Sequence, residues 1–203
     1  MIILIEGLLG PNNLGSGKTL MMIRYILKDY NKGKPIFSNI NLYHIKYKPL
    51  NMEDLINPEM NEYIKNATIG IDEITLFMDC RKSIKNSFLS YVFLQSRKRH
   101  TNFYVTTQDH TMVDFRLINY VAIWVIAEII YDKNNEPLKD YRRFTVMDIR
   151  NKYNPFTNSF ILNITPYYKF YDTDEILLPI MPEKKIVKKS LFGEKNARPK
   201  GYY

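Results

Sequence analysis

A chain of 203 residues, 45 % hydrophobic and 25 % charged, is long enough for one compact domain with a sizeable core and short for two. Its single cysteine, Cys80, excludes an internal disulfide framework, and the three histidines (His44, His100, His110) stand at no metal-ligand spacing from it. The net charge of +8 favours acidic partners such as nucleic acid, but it is unevenly spread: from Pro182 to Tyr203 seven basic residues face two acidic ones, a net +5. That stretch reads either as a solvated tail or as an electrostatic arm for phosphate backbones or a partner subunit, and both readings stay open.

In chain order, Met1 to Glu6 is an apolar run bounded by Gly7 and predicts a buried strand, without the basic start or cleavage site of a secretory signal. A loop rich in Gly, Pro and Asn runs to Gly17. Lys18 to Tyr30 then has helical spacing, with Leu20, Ile23, Ile26 and Leu27 on one side, and stops at Asn31-Lys32-Gly33. Pro35 to Leu42 predicts a second strand, Asn51 to Tyr63 a helix, and Ala67 to Ile71 a third strand. Ser83 to Arg99 is the best amphipathic helix after the first. Phe103 to Thr107 and Val121 to Ala127 predict two further strands. The apolar run from Tyr120 to Ile130 is interrupted by Glu128 and reaches only about half of the roughly 20 residues a membrane span needs, so a soluble protein is expected. Asp132 to Glu136 predicts a hairpin turn, Arg142 to Ile149 an edge strand, and the chain past Pro179 little regular structure. Strands alternating with helices point to an α/β fold with a mostly parallel sheet flanked by helices.

The loop Asn12-Asn13-Leu14-Gly15-Ser16-Gly17-Lys18-Thr19, followed by Leu20, matches a phosphate-cradling loop between a strand and a helix. Its glycines let backbone N–H groups turn inward, and the helix N-terminus adds favourable dipole. Lys18 is expected to reach the β- and γ-phosphates of ATP, and the Thr19 hydroxyl to ligate Mg2+. The first glycine of the usual pattern is Asn12 here, the non-glycine type that best tolerates left-handed backbone. A second motif, Thr68-Ile69-Gly70-Ile71-Asp72-Glu73, places two acids at the end of an apolar strand, where ligands bind in parallel sheets. Alternation sends them opposite ways: Asp72 to Mg2+, Glu73 to the attacking water. That pairing implies hydrolysis rather than transfer to a second substrate. If the strand Phe103-Tyr104-Val105-Thr106-Thr107 neighbours the Asp72 strand, Gln108 can reach the γ-phosphate or the water.

Arg97-Lys98-Arg99-His100 closes a predicted helix, where basic residues complement the dipole. A ring ATPase also needs an arginine reaching a neighbour's site. Arg97 and Arg99 are the first candidates, Arg81 and Arg116 the next. Lys82, Lys85 and Arg116 are candidate DNA contacts, and Tyr202-Tyr203 a candidate partner contact.

With these residues together, the chain resembles the FtsK–HerA superfamily of DNA-pumping P-loop ATPases, in particular its viral genome-packaging branch. It also resembles the zonular-occludens-toxin-like ATPases of filamentous phages. The matching pieces are Leu14 to Thr19, Lys34-Pro35-Ile36-Phe37-Ser38-Asn39, Ile71-Asp72-Glu73, Arg97 to His100, Thr106-Thr107-Gln108 and Tyr171-Asp172-Thr173-Asp174-Glu175. The resemblance implies a RecA-like ATPase domain over residues 1–178 and a basic tail over 179–203. It implies a homo-oligomeric ring, a hexamer being expected, that drives double-stranded DNA into a preformed capsid. Asp72, Glu73 and Gln108 would keep the roles argued above. Capsid or portal-vertex proteins would be its partners, and the host cytoplasm during virion assembly, or the capsid itself, its place. The competing expectations are an assembly or secretion ATPase acting on protein, and a nucleotide-dependent module that scarcely turns over.

Overall fold

The structure is a computed structural model and describes residues 1–8, 15–50, 55, 64–81, 83–151 and 153–175. The expected helix Asn51–Tyr63, apart from Leu55, and the basic tail lie outside the described residues.

The first strand shows how the sheet is built. In β1 (Ile2–Gly7) every residue is buried, as expected of a strand covered on both faces. Alternation sends Ile2 and Leu4 into one hydrophobic cluster and Ile3 and Ile5 into another. Helix α1 (Lys18–Tyr30) closes the second cluster with Leu20, Met21, Met22, Ile23 and Ile26, which recur at helical spacing. Helix α2 (Ser83–Gln95) contributes Leu89, Val92 and Phe93 to the first. It is less one-sided than its sequence suggests, because Tyr91 and Leu94 are exposed.

Eight strands form one sheet in the order β3-β2-β4-β5-β1-β6-β7-β8. They are β2 (Ile36–Ser38), β3 (Lys48–Pro49), β4 (Thr68–Ile71), β5 (Asn102–Thr107), β6 (Ile123–Tyr131), β7 (Pro137–Asp148) and β8 (Phe156–Asn163). The pairings from β3 to β6 are all parallel, whereas β7 and β8 add antiparallel hairpin strands. The mostly parallel α/β architecture expected from sequence is therefore observed, with an antiparallel extension on one side.

Three expectations need correction. The strand expected from Pro35 to Leu42 spans only Ile36–Ser38, and Leu42 instead makes an isolated bridge to Tyr171. The expected edge strand at Arg142–Ile149 belongs to β7, which is longer and lies between β6 and β8. The true edge, β8, was not anticipated: most of its residues are exposed, so it lacks the apolar run that marks the central strands.

Two contacts lock α1 onto the sheet. A Cβ added to Gly70 of β4 would lie 2.6 Å from Ile26 Cδ1, so any larger residue would force that buried methyl to shift. Asp29, near the end of α1, accepts hydrogen bonds from Tyr104 Oη (2.6 Å), Asn102 Nδ2 (2.6 Å) and Thr68 Oγ1 (2.7 Å). Burial alone would raise its pKa, but these three donors outweigh burial and hold the carboxyl below its usual value.

Candidate nucleotide site at the carboxyl ends of the strands

β1 leads out at Gly7 toward the phosphate loop, and α1 begins where that loop ends. Gly17 caps the helix at φ 95°, a left-handed conformation that costs an L side chain but not glycine. Asn12, Asn13 and Leu14 lie outside the described residues. Of the rest of the loop, Gly15, Ser16, Gly17, Lys18, Thr19 and Leu20 line one cavity of ≈ 470 Å³ together with Asp72, Glu73 and Gln108. The expected strand adjacency holds: β5 pairs with both β1 and β4, so Gln108 emerges between the phosphate loop and the two acids.

The Thr19 hydroxyl donates to Asp72 at 3.0 Å (Oδ1) and 3.3 Å (Oδ2), and Thr106 Oγ1 donates to Asp72 Oδ1 at 2.6 Å. Asn39 grips the main chain of Asp72 twice: its Nδ2 donates to the carbonyl at 2.9 Å, and its Oδ1 accepts from the amide at 2.7 Å. Glu73 is turned out of the strand at φ 52°, with its amide donating to Thr106 Oγ1 at 2.9 Å. Gln108 Nε2 donates to Glu73 Oε1 at 3.4 Å.

Burial pushes the Asp72 carboxyl above its usual pKa, against the hydrogen bonds from Thr106 and Thr19 and the charge of Lys18. Glu73 is also raised, first by burial and then by the neighbouring Asp72 charge. Such a pair of acids ionises against resistance, and a cation between them and a phosphate chain relieves it. The residues fit magnesium and a nucleotide triphosphate on a second observation as well. Ser16 Oγ is buried without a hydrogen-bond partner, and an oxyanion would satisfy it.

Sequence reasoning missed Arg142. It sits on β7, is only 9 % exposed, lines the same cavity, and donates from Nε to the Gly15 carbonyl at 2.9 Å. One terminal nitrogen donates to the Leu138 carbonyl at 2.6 Å and the Tyr141 carbonyl at 2.8 Å. Placing it required knowing that β7 folds back beside β6, which is not visible in local spacing. Glu175, within the late motif, accepts from the Asn41 amide at 2.9 Å and reaches the cavity rim. Glu6, at the end of β1, accepts from Trp124 Nε1 at 3.0 Å and from the His110 amide at 2.9 Å. It anchors the loop after Gln108.

The arginines expected to act across a subunit boundary are elsewhere. Arg97 lines a cavity with Met1, Ile2 and Ala122, at the amino ends of the strands. The Arg99 carbonyl accepts from the Asn66 amide at 2.8 Å, just before β4 begins. Neither joins this chain's own phosphate site. Arg81 and Arg116 are held by Asp79 and Asp114 through paired hydrogen bonds of 2.8–3.0 Å. Lys82 and the side chain of Lys85 lie outside the described residues.

Helix α1 opening at Gly17-Lys18-Thr19 after β1, beside a strand ending in two acids, gives an α/β fold of the P-loop NTPase class. No family model matches the sequence, and no curated protein matches it. Solved structures do. The N-terminal domain of zonular occludens toxin from Neisseria meningitidis aligns at 20 % identity and TM-score 0.55, over 84 % of this chain and 98 % of that one. The genome packaging NTPase B204 from Sulfolobus turreted icosahedral virus 2, in complex with sulfate, aligns at 12 % identity and TM-score 0.54, over 80 % and 97 %. The same NTPase in complex with AMPPCP aligns at 11 % identity and TM-score 0.51, over 77 % and 96 %. These likenesses establish a shared fold. Among the described residues no helix is long and apolar enough to cross a membrane.

Proposed function

We propose that this chain is a magnesium-dependent ATPase that works as a ring, with six subunits expected, and translocates double-stranded DNA, packaging a viral genome into a preformed capsid. The observation that carries the ATPase reading is the contact of Thr19 with Asp72, with Glu73 and Gln108 beside it. Lys18 and the loop amides of residues 15–19 bind the β- and γ-phosphates, with Asn12 to Leu14 completing the loop. Thr19 and Asp72 hold Mg2+, which when bound neutralises charge on the phosphate oxygens. Glu73 takes the proton of the attacking water, and Gln108 orients both Glu73 and that water. Arg142 fixes the Gly15 peptide and adds positive charge to the same cavity. Arg97 and Arg99, remote from this chain's own site, are the proposed arginines that meet the nucleotide of a neighbouring subunit.

Support for the DNA-packaging reading comes from the likeness to a genome packaging NTPase and from the net charge of +8. Capsid or portal-vertex proteins are its proposed partners. The host cytoplasm during assembly, or the capsid, is its proposed place, and residues 1–178 its proposed motor domain. The likeness to a zonular occludens toxin domain favours a second reading, an assembly or secretion ATPase that acts on protein.

The deciding experiment is the ATPase rate of the full chain with and without linear duplex DNA, with Glu73→Gln as the blank. Loss of a general base typically costs about 10²–10⁴-fold, so the variant should bind ATP and scarcely turn it over. Stimulation by duplex supports translocation, whereas hydrolysis indifferent to DNA transfers the reading to a protein substrate. Normal ATP affinity with no turnover in the wild type would leave only a nucleotide-dependent interaction module.

A further inference from the structure

The amino ends of the strands, opposite the nucleotide cavity, carry a line of cations remote from this chain's own candidate phosphate site. At one end Lys34, Lys46 and Lys48 border a cavity of ≈ 290 Å³ between the last turn of α1 and the starts of β2 and β3, with Tyr30 and Tyr47 in its wall. At the other end Arg97, Lys98 and Arg150 border a cavity of ≈ 630 Å³ beside Met1 and Tyr120. The two are joined in the middle. Lys34 Nζ donates to the His100 carbonyl at 3.4 Å, and the Met1 ammonium to the Thr101 carbonyl at 2.8 Å. The Met1 ammonium has its pKa lowered by burial and then by the nearby Lys34 charge.

The carboxylates that the described residues bring to this end are already committed. Asp29 is buried beneath three donors, and Asp148 is gripped by Arg150, which holds its pKa down at about 2. Lys46, Lys48, Arg97 and Lys98 are exposed.

We propose that this face binds the phosphate backbone of duplex nucleic acid, through Lys34, Lys46, Arg97 and Lys98. The inference rests on the DNA-translocation reading and gives it a contact surface. From β3 to β6 the face spans five interstrand spacings of ~4.8 Å, or about 24 Å, enough for several successive phosphates of one strand at roughly 3.4 Å of helix axis each. Lysines and arginines are donors that backbone phosphates take. Because the nucleotide lies at the other ends of the same strands, DNA and ATP do not compete for space, as a motor requires.

The test measures binding of a fluorescent linear duplex to the full chain across a salt series, comparing wild type with Lys34→Gln/Lys46→Gln/Lys98→Gln. The basic tail is present in both, so it cancels. Each lost phosphate contact lowers the slope of log K against log salt by about 0.9, so the triple variant should have a slope shallower by about 2–3 and bind at least ~10-fold more weakly near 0.1 M salt. Lys46→Gln/Lys98→Gln, both at exposed positions, should lose about two-thirds of that slope change. The magnesium-ATP shift in melting temperature verifies the fold of each variant. Lys133→Gln/Lys139→Gln, on the hairpin at the other end of the sheet, should bind like wild type. Unchanged slope and affinity in the triple variant would overturn the face while leaving the DNA reading intact. Failure of the wild type to bind duplex with ATP present would overturn both. Equal, equally salt-dependent binding of polyglutamate would overturn the nucleic-acid assignment.

Discussion

At the residue scale, the site sets a pH dependence that can be signed in advance. The Glu73 carboxyl is raised by burial and by Asp72, and it acts as a base only when ionised. Turnover should therefore fall with acid through a pKa above the ordinary glutamate value. Gln108 donates to Glu73 and favours its charged form, so Gln108→Ala should move that acid limb to still higher pH. A profile of kcat against pH for both proteins checks this, and an unmoved limb would show that Gln108 does not tune the base. Arg142 supports a second prediction. Its replacement by Gln removes a charge from the cavity and the grip on Gly15, and should raise KM for ATP roughly 10-fold or more, the scale of one charge-assisted hydrogen bond. A rise in KM with kcat held would place Arg142 in ground-state phosphate binding. A fall in kcat alone would place its action in the transition state.

At the element scale, α1 and β4 meet at Gly70. Alanine there would collide with Ile26 Cδ1, and overpacking of this kind costs about 1–3 kcal/mol. Gly70→Ala should unfold at a correspondingly lower denaturant midpoint with an unchanged slope, and Ile26→Val in the same chain should recover part of the loss, because it removes the colliding methyl. How much was legible in the sequence also divides by element. The strand β1, helix α1 and the strand β5 declare themselves by period, since each buries a whole face or both faces. β8 did not, because Phe156, Asn158 and Ile161 are all exposed and only Phe160 and Leu162 alternate toward the core, too short a pattern to mark a strand. Arg142–Ile149 was recognised as extended but assigned to an edge, since a missing β8 leaves β7 without its outer neighbour.

At the scale of the whole molecule, nucleotide and fold should be linked. The proposed phosphate site draws on the start of α1, the segments that follow β4 and β5, and β7, so a ligand bound there should stabilise all of them together. Magnesium-ATP at about 100 times its Kd should add roughly 2.7 kcal/mol of stability, read as a rise in melting temperature of the Glu73→Gln chain. Chelation of the metal should remove much of that rise, and Thr19→Ala should make the melting temperature indifferent to magnesium. A metal-independent rise in the Thr19-intact chain would show that Thr19 and Asp72 do not hold the ion. Two-ended organisation, with the proposed nucleotide site at the carboxyl ends and cations at the amino ends, is a property of the sheet and not of any single segment.

By itself, the amino-acid sequence determined the local chemistry: Gly15-Ser16-Gly17-Lys18-Thr19 at a strand-helix junction and Asp72-Glu73 at a strand end carry their meaning in spacing of a few residues. It also determined the class of fold, because burial on both faces imposes apolar strands and one-sided helices. Which segments share an edge was decided only in three dimensions. Asp72 meets Thr19 across 53 positions of chain, and Arg142 meets Gly15 across 127, through strand order and register that no local period encodes. The same holds for the arginines: their charge is plain in the sequence, but the end of the sheet to which a helix delivers them depends on the direction of the strand that follows.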